Sequence, residues 1–478
     1  MKRVSILYIF LVVSFQLFGQ QTIQPKDTLV AFSLDEAINY AIENNRNSIN
    51  ASKSIEAAEE QKWETTSIGL PQIDAQIDYQ NFLKQQVSLL PAAAFDPLGS
   101  IRQLEEYYDL TDRQIKDLPE APEGFLPITF GTKQNMNASA TLTQLLFDGS
   151  YLVGLQSAKV YLQISKNAKT KTDLEVRKAV INAYGNVLLT NDRVEILQRN
   201  LDVLKKNLNE TSKLFENGME EEESVEQLQI TNSDLENALI NTIRLRDLAY
   251  QMLNISLGRS LNAPLQLTDT LSDLAQKEIQ DQLLPSDYSM ENSVDYQIAE
   301  NDMVSKELLL KLEKSRSLPT LSAFLSGGYN GNSDTFSFAK KDQRWFGYGL
   351  FGVNLSIPIF SSLGRSAATQ RASIELEQAK LDLEETASQI QLEINRASSD
   401  FNYAIENFYN KEKNLKLAER IESKNQIKFF EGIAGSFDLR QAQMQLYTAQ
   451  QEYLEAMLNV INSKAELETI INQPQYSN

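Results

Sequence analysis

The 478-residue chain has no cysteine and no histidine, and only 12 prolines and 19 glycines. Without cysteine there is no disulfide, no thiolate nucleophile and no lipid-modified N-terminal Cys. Without histidine, the usual general base and the commonest transition-metal ligand are missing. Carboxylate pairs such as Asp35-Glu36 and Glu105-Glu106 have nothing convergent around them, so a two-carboxylate glycosidase is only a formal possibility. Gly327-Gly328-Tyr329 lies inside an alternating segment, whereas a phosphate-cradling loop follows one. The chain therefore reads as a non-enzyme, with no catalytic, cofactor-binding or metal-ligating residue to name. Positive charge is also scarce: 45 Lys and Arg against 64 Asp and Glu give a formal net charge of −19. That balance argues against a nucleic-acid partner, since phosphate contacts need a basic face.

Long hydrophobic runs are missing as well, except at the start. Met1 to about Gln20 carries Lys2 and Arg3, an apolar run from Val4 to Phe18, then Gly19. This is the pattern of a secretory signal peptide; a membrane anchor helix, the other reading, would be longer and differently flanked. Its removal would leave residues 21–478 as one unit with a charge of about −21. No other segment approaches the ~20 apolar residues of a spanning helix.

What the chain does have is an internal repeat, offset by about 213 residues downstream of the long loop and by 248 upstream of it, at Leu70 and Leu318. Leu70-Pro71 is answered by Leu318-Pro319, and Gln144-Leu145-Leu146-Phe147-Asp148-Gly149 by Ser356-Ile357-Pro358-Ile359-Phe360 with Gly364. Phe215-Glu216-Asn217-Gly218 is answered by Phe429-Phe430-Glu431-Gly432, and Gln229 by Gln443. The copies run from about 33 to 258 and from about 290 to 472. Each reads helix, strand, loop, strand, very long helix, tight turn, helix.

Four segments alternate with period two. Ile73, Ala75, Ile77 and Tyr79 oppose Gln72, Asp74, Gln76, Asp78 and Gln80; Met136, Ala138, Ala140 and Leu142 oppose Asn135, Asn137, Ser139, Thr141 and Thr143. In the second copy Leu321, Ala323, Leu325 and Tyr329 oppose Ser322, Ser326 and Gly328, and Phe351, Val353, Leu355 and Ile357 oppose Gly352, Asn354 and Ser356. Such alternation fits either a soluble sheet with one face on a core or a transmembrane β-barrel. Small, mostly uncharged polar faces and aromatics near the strand ends (Tyr79, Phe82, Tyr329, Trp345, Phe346, Tyr348) favour the barrel. Ile73, Ile77, Leu142, Leu321, Val353 and Leu355 would then face lipid. Four strands cannot close a barrel, and a membrane forbids open edges. Several chains must share one, and three would supply twelve strands.

Ser150 to about Glu216 contains no proline, and the second copy runs likewise from about Leu363 to Phe430. At 1.5 Å per residue each makes a helix about 100 Å long. Shorter helices are expected over Glu220–Leu257, Ser436–Ile471, Leu34–Ser67 and Ser293–Ser317. Length matching suggests Glu220–Leu257 stacked end to end on Ser293–Ser317, and Ser436–Ile471 on Leu34–Ser67, each stack antiparallel to one long helix. A rod would result, with strands at one end and turns at the other. Apolar residues at three- and four-residue spacing, such as Leu197, Leu201, Leu204 and Leu208, support coiled-coil-like packing. The loop of about 83–133, with five prolines and an amphipathic stretch near Ile101–Leu118, should lie outside the cell. Residues 259–289 should form a collar between stacked helices.

This order of elements resembles the TolC-like outer-membrane efflux protein family. The resemblance rests on Gln144–Gly149 and Ile357–Phe360 at the strand–helix junctions, and on Phe430-Glu431-Gly432-Ile433-Ala434-Gly435-Ser436-Phe437-Asp438 before the last helix. It covers essentially the whole mature chain. It implies a mainly α fold with a small β-barrel portion, in which long antiparallel helices of a homotrimer form an α-barrel continuous with a 12-stranded transmembrane β-barrel, four strands per chain. It further implies a passive exit duct in the outer membrane of a Gram-negative bacterium, helices reaching into the periplasm, served by a periplasmic adaptor (membrane fusion) protein and an inner-membrane exporter. The competing function is a soluble periplasmic or surface helical scaffold. In the family, acidic rings can line the periplasmic mouth; Asp438 matches one such position, whereas Gln441 stands at the second. The other turn carries Glu220-Glu221-Glu222-Glu223 beside Gly218. These carboxylates read either as a cation-attracting collar or as solvated helix starts favoured by the dipole. Gly218, Gly432 and Gly435 would let the chain reverse tightly and let an adaptor approach the backbone.

Overall fold

A computed structural model describes residues 29–101, 122–280 and 290–472. The signal-peptide segment, the loop's amphipathic stretch beyond Ile101 and the end of the expected collar fall outside these residues. The strands are β1 (Val30–Phe32), β2 (Gln72–Asn81), β3 (Val87–Pro91), β4 (Phe125–Thr129), β5 (Gln134–Asp148), β6 (Leu265–Leu267), β7 (Thr320–Ser333) and β8 (Trp345–Ser356). The helices are α1 (Leu34–Asn44), α2 (Arg46–Ser67), α3 (Gly149–Glu216), α4 (Glu222–Ser256), α5 (Leu271–Gln280), α6 (Val294–Ser315), α7 (Gly364–Phe430) and α8 (Ser436–Ile471). They fall into two compact units: Met1–Glu60, Lys159–Glu307 and Ser373–Asn478 in the first, Gln61–Ala158 and Leu308–Ala372 in the second.

The first unit is helical. Against the long helix α3, α4 runs antiparallel, tied by Lys205–Glu236 at 2.9 Å and by Asn191 Nδ2 donating to Tyr250 Oη at 3.1 Å. Helix α8 also runs antiparallel to α3, through the Arg193–Glu455 and Lys178–Glu466 ion pairs and Asn200 Nδ2 donating to Gln450 Oε1 at 2.8 Å. The core joins Phe32, Leu34 and Ile38 to Tyr184, Leu253, Leu271, Phe401 and Val460. Four buried charges sit beside it. Arg177 meets Glu468 at 2.6 Å, Lys464 meets Glu278 at 2.5 Å, and Lys464 lies 4.0 Å from Glu468, with side-chain exposures of 4–7%. Burial pushes the Glu468 carboxyl above its usual range, against the pull of Arg177.

Two expectations about the helices are corrected here. The helix anticipated over Leu34–Ser67 is two, divided at Asn45. The Asn45 amide N–H closes α1 on Ala41 O at 2.7 Å, its Oδ1 accepts from the Asn47 N–H at 2.8 Å to start α2, and its Nδ2 donates to Ser256 O at 2.8 Å. One polar side chain thus replaces the backbone bonds that a continuous helix would make. The end-to-end partners are also exchanged. The α4 terminus meets the start of α2 through Asn45–Ser256, and Gly258 is so close to Asn44 that a Cβ would lie 2.2 Å from its carbonyl oxygen. The end of α8 meets the start of α6 through Asn472 Nδ2 donating to Asn292 O at 3.1 Å. Length matching could not separate the pairings, because either assignment approximates one long helix.

Sequence reading also missed β1, which pairs in parallel with β6 from the expected collar segment. Asp269 Oδ2 accepts from the Leu34 N–H at 2.7 Å, and the buried Tyr184 hydroxyl lies 2.9 Å from the same oxygen and 3.0 Å from Phe32 O. The N-terminal segment, α3 and the collar are pinned at this one carboxylate.

The second unit holds a four-stranded antiparallel sheet in the order β2-β5-β7-β8. Asp148 Oδ1 caps α3 by accepting the Ser150 and Tyr151 N–H groups at 2.6 and 3.1 Å. The long loop is more ordered than anticipated, because β3 and β4 pair as a second, two-stranded antiparallel sheet.

Candidate functional site

Two places gather the residues singled out by sequence: the hairpin turns of the helical unit and the open sheet of the other. In the α3–α4 turn Gly218 has φ +73, its N–H donating to Phe215 O and the Met219 N–H to Leu214 O, both at 2.8 Å. In the α7–α8 turn Gly432 has φ +69, with Gly432 N–H donating to Phe429 O at 3.0 Å and Ile433 N–H to Lys428 O at 2.8 Å. Both are Schellman closures, in which a left-handed glycine satisfies the last helical carbonyls. The repeat therefore extends to individual hydrogen bonds. Gly435 does not act this way: it is the N-cap of α8 in ordinary extended backbone, φ −79.

The turns leave Met219 and Ile433, at equivalent positions, 66% and 76% exposed, with Phe437 exposed beside them. Ser224 Oγ lies 2.7 Å from Ser436 Oγ, so the starts of α4 and α8 touch. Glu222 and Glu223 occupy the first turn of α4, where Gln227 Nε2 donates to Glu223 Oε1 at 2.8 Å; Glu221 is the N-cap and Glu220 precedes it, half-buried. Asp438 is exposed in the first turn of α8. Two positive helix ends thus meet amid five carboxylates, a placement the dipoles stabilise. The Ser224–Ser436 contact was missed in the sequence. Its only signal was that Ser224 is the repeat partner of Asp438.

In the sheet, the strand register puts every sequence-assigned lipid-facing residue on one face. Ile73, Leu142, Leu325 and Phe351 form one row; Ile77 lies in a row with Ala138 and Tyr329, Val353 beside Ala323, and Leu355 beside Leu321 and Phe147. Ile73 and Ile77 are 71% and 70% exposed, Val353 and Leu355 are exposed, and Leu142 and Leu321 are half-buried. A β-bulge between Leu145 and Phe147 turns Phe147 onto this face. The opposite face carries Asp74, Asp78, Asn135, Asn137, Asn330 and Asn332, its amides linked by Asn135–Asn332 and Asn330–Asn135 hydrogen bonds of 2.9 and 3.2 Å. That face is less uniformly polar than expected, because Phe324, Phe346, Tyr348 and Leu350 share it. Among the described residues, β2 and β8 each pair on one side only, so the sheet is open at both edges.

The sheet thus has one largely apolar face, one mixed polar face and two open edges. Residues 291–473 match the family model for outer membrane efflux protein. Over 346 residues the chain is 24% identical to the alkaline protease secretion protein AprF of Pseudomonas aeruginosa, covering 69% of this chain and 68% of that protein. Its fold is similar to that of CusC, whose structures concern transmembrane channel formation (TM-score 0.71, 15% identity, 93% of each chain). It is also similar to the outer membrane protein VceC of Vibrio cholerae (TM-score 0.66, 14% identity, 92% of this chain and 96% of that one) and to the MtrE outer membrane channel of Neisseria gonorrhoeae (TM-score 0.65, 14% identity, 92% and 89%). The second half of the chain carries an outer membrane efflux protein domain, within a TolC-like fold. The matched domain and the structural neighbours are those of outer-membrane proteins, which favours the outer membrane over a soluble scaffold.

Proposed function

We propose that the protein is the exit duct of a tripartite efflux or type I secretion system. It conducts substrates passively from a periplasmic adaptor and inner-membrane exporter to the outside. The observation that carries this reading is the open four-stranded sheet with one exposed apolar face. Three copies joined edge to edge would make a twelve-stranded closed barrel and remove the edges that lipid forbids. Helix α3, 68 residues long, is about 100 Å in length, enough to carry a conduit deep into the periplasm. The name of AprF favours a secretion role. The gate lies at the hairpin tips, where Ser224–Ser436 ties the two turns of one chain and Glu220, Glu221, Glu222, Glu223 and Asp438 set cation preference. Exposed Met219, Ile433 and Phe437 offer the adaptor an apolar foothold around Gly218, Gly432 and Gly435.

Conductance of the detergent-purified protein in a planar lipid bilayer tests this reading. Discrete, cation-preferring steps are expected, with the preference lowered when Asp438 and Glu220–Glu223 are neutralised together. Protein that stays soluble without detergent and makes no steps contradicts the duct. Steps with unchanged selectivity contradict only the gate assignment.

A further inference from the structure

The end of the sheet that carries the β7–β8 connection shows a feature that a conduit does not require. Tyr79, Met136, Gly331 and Trp345 form the last row of the apolar face to which all four strands contribute. The connecting loop folds back over that row. Phe338, 8% exposed, packs 6.1 Å from Trp345 and 5.9 Å from Tyr79 between ring centroids, and would lie 3.3 Å from a Cβ at Gly331. Phe336 stacks edge-on to Tyr79 and Phe338 at 5.9 and 5.6 Å yet is 61% exposed. Tyr329, two residues before Gly331 on the same face, is equally exposed. The loop is held by its own bonds: Ser337 with Gln343, Ser337 Oγ with Ser333 Oγ at 2.9 Å, Lys340 N–H with Ser337 O at 2.8 Å, and Gln343 Nε2 with Arg344 O at 2.9 Å.

The same loop carries Lys340 and Lys341, both exposed, two residues past Phe338, with Asp342 after them. Arg344 is not part of this group: its guanidinium lies 5.2 Å over Phe346, on the sheet's other face. The other nearby acid, Asp334, is engaged by the Lys133 backbone N–H at 3.0 Å. In a chain of net charge −19, two adjacent exposed lysines in the loop that builds an aromatic shelf mark a local reversal. Aromatic rings settle at the headgroup level of a bilayer, and lysine side chains beside them reach phosphate.

We propose that this rim binds the phosphate of an anionic outer-leaflet glycolipid, its acyl chains lying along Tyr329, Phe336 and Trp345 and its phosphate held by Lys340 and Lys341. The proposal rests on the apolar face meeting lipid, as in the duct reading. The probe is bis-phosphorylated lipid A in phosphatidylethanolamine vesicles carrying the full chain, with bound lipid counted by native mass spectrometry. The environment of Trp345 is read by fluorescence in a Trp63→Phe background, which leaves it the only tryptophan of the two. Attraction of about fivefold per lysine predicts that K340Q/K341Q weakens retention roughly thirtyfold, and that K340R/K341R restores it. Equal retention of lipid A stripped of phosphate, or no change in K340Q/K341Q, overturns the site. Displacement of the lipid by inorganic phosphate alone also overturns it, since the site would then be an anion site. Wild-type protein that fails to enter the vesicles contradicts the duct reading as well; protein that inserts but ignores lipid phosphate contradicts this inference alone.

Discussion

The buried charges of the helical unit permit a sharp test. Replacing Arg177 by Met keeps most of the side-chain volume but leaves the Glu468 carboxylate buried, with Lys464 at 4.0 Å already engaged by Glu278 at 2.5 Å. Removing one partner of such a pair costs about 3–5 kcal/mol, because the remaining charge keeps its desolvation penalty. Glu468→Met should cost a similar amount by removing the carboxylate that faces the guanidinium at 2.6 Å. The double variant removes both charges and leaves Lys464–Glu278 intact, so it should fall within about 1–2 kcal/mol of the parent, a coupling of several kcal/mol. The assay is denaturant unfolding of all four proteins in detergent. The sign with pH is also fixed. Burial already raises the Glu468 carboxyl, and loss of Arg177 raises it further, so the folded variant holds a proton that the unfolded chain releases. The Arg177→Met penalty is therefore smallest below the unfolded carboxyl pKa and grows as pH rises through the folded value. Additive single effects, or a penalty that shrinks with rising pH, would refute the reasoning.

Burial raises the Asp192 carboxyl to about 6, helped by Glu195. Its ionised form opposes folding, so stability falls as pH climbs from the ordinary carboxylate range to about 6. Asp192→Asn should gain about 1 kcal/mol at neutral pH after solvent screening, and little in acid; thermal melts at both pH values check it. Gly432→Ala meets no atom within 4 Å, so its loss of about 1–2 kcal/mol is backbone strain alone, and Gly432→Asn should recover part of it in the same melts. Val353→Arg puts a charge on the exposed apolar face at about 2–4 kcal/mol per chain, and membrane fractionation should show failed assembly, whereas normal insertion would mean that this face does not meet lipid.

Much of this molecule could be read from its sequence because it is regular. Two segments free of proline became α3 and α7 within a residue of the anticipated ends, and period-two alternation fixed which strand residues share a face. What stayed hidden depended on single polar side chains or on tertiary choice. Asn45 breaks a helix with no glycine or proline to announce it, and β1 is three residues whose only partner lies more than 200 residues away. Phe324 sits on the polar face, over Gly352, where a Cβ would lie 2.5 Å from its ring; the glycine makes room for it, and alternation alone cannot say so. At the tips, the glycine turns and acidic runs were legible. Their union through Ser224 and Ser436 was not, because two serines carry no pattern.

The proposed barrel requires β2 of one chain to pair with β8 of another. The chain lacks cysteine, so an introduced pair is the only thiol pair present. Ala75→Cys on β2 combined in turn with Gly347→Cys, Gly349→Cys or Phe351→Cys on β8 would scan the register. Within one chain these edges are three strand spacings apart, about 14 Å, beyond disulfide reach. Oxidation in native membranes followed by a non-reducing gel should give dimers and a terminal trimer band for one of the three pairs. Monomers throughout, in membranes where the protein is assembled, would contradict the shared barrel.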